Sequence, residues 1–165
     1  MIVEHRDVKF EDVTSVTRVA PSSRTHSISS HDGILRPLYR KDNGIYNAMS
    51  NKAQALSDMM PVTYESSILG KVIITPTRRY YEYRPDKLEN VVLGMQNLKK
   101  QLEESGAPAI AIPIFSSKDK RFSEMGSCGE EQEYTEEQMA DVVRNILGDF
   151  PGWVNLIYEP TENAA

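Results

Sequence analysis

Apolar and polar positions follow two different periods along this chain. Residues 109–115, AIAIPIF, are almost continuously apolar, as a strand buried on both faces should be. Val72-Ile73-Ile74 is a second apolar run, inside a strand predicted at 71–75. Between them, residues 86–104 place Leu88, Val91, Val92, Met95, Leu98 and Leu102 on one helical face. Asp86 and Glu89 have capping-box spacing there, and Gly106 is placed to end the helix. Thr135 and Gln138 form a second capping box, opening a helix striped by Met139, Val142, Val143, Ile146 and Leu147 and stopped by Gly148. Trp153 to Tyr158 reads as a final strand. Residues 45–60 carry Ile45, Ala48, Met49, Ala53, Leu56 and Met60 at helical spacing, which predicts one helix closed by Pro61 with Met49, Leu56 and Met60 in the core. The first thirty residues give shorter pieces: strands at Ile2-Val3, Val8-Lys9-Phe10 and 16–19, a turn at Ala20-Pro21-Ser22-Ser23, and a polar strand at 25–29.

Strands alternating with helices of this length predict a mixed, mostly parallel sheet covered on both faces. Residues 1–160 read as one domain and 161–165 as a flexible tail. In such sheets ligands bind beyond the carboxyl ends of the strands. Four loops would meet there: 29–44, 75–84, 116–129 and the residues after Tyr158. The second follows the apolar run with Thr75, Thr77, Arg78, Arg79, Tyr80, Tyr81 and Tyr83. Hydroxyls, guanidiniums and phenols together suit an anionic ligand with flat parts, such as a nucleotide; they also suit a solvated turn.

Composition narrows the class. The 165 residues are 39% hydrophobic and 26% charged, ordinary for a globular protein. No apolar run approaches the roughly 20 residues of a membrane helix, and the charged N-terminus has no signal-like apolar stretch. The lone Cys128 excludes an intrachain disulfide framework, and a cytoplasmic location is expected. A net charge of −5 argues against broad, nonspecific nucleic-acid binding while leaving room for a local basic pocket. No His/Cys/Asp cluster has metal-ligand spacing and no P-loop is present, so neither a metal nor a cofactor is expected.

The order of segments resembles the macrodomain family, the ADP-ribose-binding fold, and is most similar to the terminal ADP-ribose glycohydrolases and the antitoxins that remove ADP-ribose from DNA. The resemblance runs through residues 8–160. It rests on VIITPTRRYYEYRPDKLENVVLGMQNLKKQLEESGAPAIAIPIF, with strand, Thr-Lys-Arg-like turn, Leu-Glu-started helix and Ile-Pro strand in order. Upstream, Glu11-Asp12-Val13-Thr14 is similar to the family's Gly-Asp-Ile-Thr, His26-Ser27-Ile28-Ser29 to its His-x-Ile-Ser, and Asn43-Gly44-Ile45 to the end of the loop opening the first helix. The resemblance implies a three-layer α/β/α macrodomain-like fold and a partner that is ADP-ribose or an ADP-ribosylated macromolecule. It implies that Asp12 accepts from the adenine amino group beside the Val13 N–H, although an aspartate ending a strand in an Asx turn would look the same. It implies phosphate at Asn43, Gly44 and Ile45, where a bare Asn-Gly turn is the alternative. Ser29 and Asp32 would stand near the distal ribose, with Thr77, Arg78, Ser116, Ser117, Lys118 and Tyr158 lining the rest.

Two departures bear on chemistry. The hydrolase type has a lysine nucleophile after the threonine, whereas this chain has Arg78, which stays protonated and cannot act as an amine nucleophile. The glycine-rich diphosphate loop is replaced by Phe115-Ser116-Ser117-Lys118-Asp119-Lys120-Arg121-Phe122. That stretch would supply cations and hydroxyls, or else be a charged, solvated loop. Asp119 falls within a residue of the family's catalytic aspartate, so hydrolysis would use Asp119, Asp32 or substrate phosphate to activate water. The alternatives are an ADP-ribose 1″-phosphate phosphatase and a non-enzymatic interaction or decoy protein. Ile34, Leu35, Leu38 and Tyr39 read as a lid or a partner contact, and the tyrosines at 80, 81 and 83 would suit single-stranded nucleic acid as a further partner.

Overall fold

The computed structural model describes residues 1–22, 28, 33–77, 87–106, 108–117 and 134–158. Strands are β1 (Ile2–His5), β2 (Thr17–Ser22), β3 (Val62–Ser66), β4 (Gly70–Pro76), β5 (Ala109–Ile114) and β6 (Trp153–Tyr158). Helices are α1 (Leu35–Lys41), α2 (Gly44–Asn51), α3 (Ala53–Ser57), α4 (Leu88–Ser105) and α5 (Glu136–Leu147), with a 3-10 turn at Phe10–Asp12. The strands form one sheet in the order β1-β6-β5-β2-β4-β3, parallel throughout except for β3, which pairs antiparallel with β4.

The path from β2 through α1–α3 moves towards β4 and β3, whereas those through α4 and α5 move back towards β5 and β6. Right-handed crossovers in opposite directions put their helices on opposite faces, giving a three-layer α/β/α fold. Val19, Val72, Ile74, Ile110, Ile112, Val154 and Leu156 supply the sheet's buried side chains. The helices contribute Leu35, Leu38, Met49, Met95, Leu98, Val143 and Leu147.

The strongest local signals coincide with observed elements. Gly106 caps α4 at φ 66°, its N–H donating to the Leu102 carbonyl, and Thr135 with Gln138 forms the full capping box of α5. The amino-terminal half needs five corrections. Phe10 begins a 3-10 turn rather than ending a strand, because it is drawn into the core. β2 continues through Ala20-Pro21-Ser22, where a turn was expected, because all six of its residues are buried. The expected helix at 45–60 breaks at Lys52 (φ −118°, ψ 26°), and Met59 enters the core while Met60 is 40% exposed. Residues 62–66 are a strand the periodicity did not announce, since an edge strand of polar Thr63, Tyr64 and Glu65 lacks an apolar run. Ile34, Leu35 and Leu38 are core, not lid. The opening cap of α4 also differs: its N-cap is Lys87 without a side-chain bond, and Asp86 lies outside the described residues, as does all but Ile28 of the strand expected at 25–29.

Candidate functional site

β2 pairs with β4 from Arg18 to Ser22, but with β5 only at Thr17 and Arg18. Above that point the two central strands separate. Pro21 and Pro113 lie in the separated halves, and each lacks the N–H that a continuing ladder would use. The crossovers leaving β2 and β5 also run in opposite directions. The gap between their carboxyl halves is therefore the topological switch point, where an open α/β sheet accommodates a ligand.

The ends around this crevice are fastened to each other. The Thr77 N–H and hydroxyl both donate to the Ser22 carbonyl (3.0 and 3.2 Å), tying the end of β4 to the end of β2. Ser117 donates its N–H (3.1 Å) to the Tyr134 carbonyl, and the Tyr134 N–H donates to its hydroxyl (3.2 Å), clasping the two ends of segment 118–133. Thr77 and Ser117 are both buried, so these hydroxyls build the floor, while Ser116 is half-buried at the rim. At the far side, the Arg6 guanidinium lies 3.9 Å from the centre of the Tyr158 ring. The Tyr158 hydroxyl donates to Glu4 (3.1 Å), which also pairs with Arg144. Burial, then that hydrogen bond, raises the phenol above its ordinary range, and the same bond followed by Arg144 lowers Glu4.

Asp12 and Val13 stand at the opposite edge. Arg18, at the start of β2, sends its guanidinium down to the carbonyls of Phe10, Glu11, Val13 and Leu69, the last just before β4 begins. Asp12 is exposed, 3.6 Å from Lys41, and its charge with that of Glu11 offsets the burial that pushes Arg18 down. Asp12 and Val13, expected beside the adenine, thus stand at the amino edge of the sheet. Among the described residues, an aspartate at the carboxyl edge is Asp7, exposed two residues beyond β1 and followed by half-buried Val8.

Asn43, Gly44 and Ile45 are displaced in the same sense. α1 ends at the amino edge, where Lys41 donates to the Glu11 carbonyl (3.1 Å) and Asp42 meets Ser66 at the end of β3. The Asp42 carboxylate accepts from Ser66 Oγ (2.6 Å), Tyr64 Oη (2.9 Å) and the Gly44 N–H (2.9 Å). These bonds, Ser66 first, then Gly44, hold Asp42 below the usual carboxylate range. A carboxylate of the protein therefore occupies the anion position at the start of α2. Ile45 is fully buried, and a Cβ on Gly44 would fall on the Tyr64 hydroxyl, so this glycine serves packing. With α1 ending at the amino edge, the backbone entering it from the crevice side is Gly33-Ile34.

Ser29, Asp32, Arg78, Lys118 and Asp119 lie outside the described residues. Arg6, Asp7 and Gly33 were not among the residues singled out from the sequence. An Asp-Val pair closely following the first strand was the available signal for the second of these.

Two cavities among the described residues lie away from the crevice. One of about 610 Å³ sits between α3 and the end of α4, and one of about 510 Å³ lies below Phe150 and Trp153. Among the described residues no three His, Cys, Asp or Glu side chains could hold a metal, and no helix is long and apolar enough to cross a membrane.

No protein-family model matches the sequence, and no curated protein matches it. Solved structures do resemble the fold. The macrodomain of Mycobacterium tuberculosis DarG superposes with a TM-score of 0.73 at 15% identity, covering 98% of this chain and 99% of that one. The macrodomain of Thermus aquaticus DarG gives 0.71 at 15% identity, covering 97% and 99%. Thermosipho africanus DarTG, solved in complex with ADP-ribose, gives 0.61 at 13% identity over 90% of this chain and 39% of that one. The chain has the macrodomain fold.

Proposed function

We propose that this chain binds ADP-ribose, or an ADP-ribosyl group carried by a protein or nucleic acid, in the crevice between the carboxyl halves of β2 and β5. The observation that carries the reading is the early parting of β2 from β5 at the switch point, in a fold shared with a protein solved with ADP-ribose. In this reading Asp7 takes the adenine-amino role first expected of Asp12, and Gly33-Ile34 replaces Asn43-Gly44-Ile45 as the backbone nearest the diphosphate. Arg78, Ser116 and Lys118 supply donors and positive charge in place of glycine-loop N–H groups. Calorimetric titration with ADP-ribose tests this directly. Saturable 1:1 binding is expected, and no heat at millimolar ligand overturns it.

Hydrolysis, in this reading, proceeds without a lysine adduct, since Arg78 cannot lose its proton to become a nucleophile. Asp32 or Asp119, or a substrate phosphate, would accept the proton of the attacking water. Borohydride added during turnover of an ADP-ribosylated substrate should trap nothing covalent; an adduct on any lysine overturns this mechanism. The same arginine favours a second reading, binding without turnover, which holds if ADP-ribose binds and no attached ADP-ribose is released.

A further inference from the structure

Arg6 is the residue immediately beyond β1, at the carboxyl edge of the sheet and next to Asp7. Its guanidinium lies over the Tyr158 ring at 3.9 Å, yet the residue is exposed, whereas Tyr158 beneath it is only 2% exposed. The tyrosine hydroxyl is anchored below to Glu4, which Arg144 holds in turn. The stack is therefore fixed from beneath and open above. A flat ligand arriving at this end of the crevice meets the guanidinium first.

We propose that Arg6 is the base-stacking residue of the crevice: a purine ring lies on the outer face of its guanidinium, with Tyr158 on the inner face. This rests on the ADP-ribose reading above and specifies how that site takes the base. A guanidinium suits the position because it is planar, weakly hydrated and delocalised, so it stacks on two π-faces at once. Tyr158 acts through Arg6, holding its plane parallel to the incoming ring. Asp7, the neighbouring residue, presents an acceptor for an exocyclic amino group at the rim of the same ring. Arg6 and Asp7 together thereby favour adenine over a pyrimidine, which offers less stacking area.

The test is a displacement series on the full chain, against a fluorescent ADP-ribose, using ADP-ribose, AMP and ribose 5-phosphate with the parent, Arg6→Ala and Arg6→Lys. Arg6→Ala should weaken ADP-ribose and AMP about tenfold, the range of a partly desolvated cation–π contact, and leave ribose 5-phosphate unchanged. Arg6→Lys keeps the charge without the plane and should weaken the same two ligands. Equal weakening of ribose 5-phosphate would show that Arg6 pairs with phosphate and would overturn the proposal. So would full affinity in Arg6→Lys, or tighter binding in Arg6→Ala, which would make Arg6 a cover over Tyr158. Failure of the parent to bind ADP-ribose would remove the functional reading itself, a result distinct from unchanged binding in the Arg6 variants. Arg6 is exposed, so matching thermal melts will confirm that the variants are folded.

Discussion

Arg18 and Arg6 stand at opposite edges of the same sheet and use the same side chain in opposite ways. Arg18 is 4% exposed, and its guanidinium donates to four main-chain carbonyls that close the loops beneath the strands. Four of its five N–H donors are committed, so it holds geometry. Arg6 is exposed and, among the described residues, lies on a ring face and makes no hydrogen bond, so its N–H donors and its outer face are open to a ligand. The contrast extends to carboxylates: Asp42 is bound by three donors at the amino edge, whereas Asp7 is exposed at the carboxyl edge. Arg18 and Asp42 are thus spent on internal bonds at the amino edge, while Arg6 and Asp7 face outward at the carboxyl edge.

This division can be broken experimentally. The largest effect belongs to Arg18→Met, which keeps the aliphatic stem but orphans several carbonyls; it should cost about 3–5 kcal/mol by urea denaturation. A loss under about 1 kcal/mol would mean that the amino edge is held by something else. Next, Asp42→Ala should cost about 1–3 kcal/mol, since Ser66, Tyr64 and Gly44 all lose their acceptor. Gly44→Val should also lower the melting temperature, because its Cβ displaces the Tyr64 hydroxyl. If the variant melts like the parent yet loses ADP-ribose, Gly44 serves the ligand after all.

A sharper form of the comparison sets two aspartates against each other. Asp7→Ala should weaken ADP-ribose binding by about 1–3 kcal/mol, the value of a hydrogen bond to a charged acceptor. Asp12→Ala should leave affinity unchanged. The reverse ranking by calorimetry would return the adenine role to Asp12.

The smallest effect is a pH dependence. The folded-state pKa of Asp42 lies below its unfolded value, so its contribution is fully present above the unfolded pKa of about 3.9 and is lost as pH falls through the folded value. The stability difference between the parent and Asp42→Asn should therefore be constant near neutrality and shrink below about pH 4. A difference that persists down to pH 2 would assign it to packing rather than to the ionised carboxylate.

Much of the fold was legible because its signals are local. The stripes of α4 and α5, the Gly106 stop and the Thr135–Gln138 box each depend on residues within a few positions, and each appears in the structure. The continuous run at 109–115 marked β5 for the same reason, its side chains being buried whichever way they point. What failed was weakly encoded. β3 is a polar edge strand that becomes a strand by pairing with β4. α1 lies inside an expected loop because its apolar residues have their core partners elsewhere in the chain.

The candidate site shows where the sequence runs out. Within the first fifty residues Asp-Val occurs at 7–8 and again at 12–13, and Gly-Ile occurs at 33–34 and again at 44–45. Each pair is chemically the same in its two occurrences, so residue type alone cannot rank them. The sequence by itself determined the alternation of strands and helices, the buried central strand and an arginine, not a lysine, after Thr77. Only the tertiary structure decided which copy of each pair stands at the amino edge. That choice depends on which edge of the sheet a segment reaches, and it is set by contacts between residues distant in the chain: Arg18 with Leu69, and Asp42 with Ser66, anchor the second copies to the amino edge.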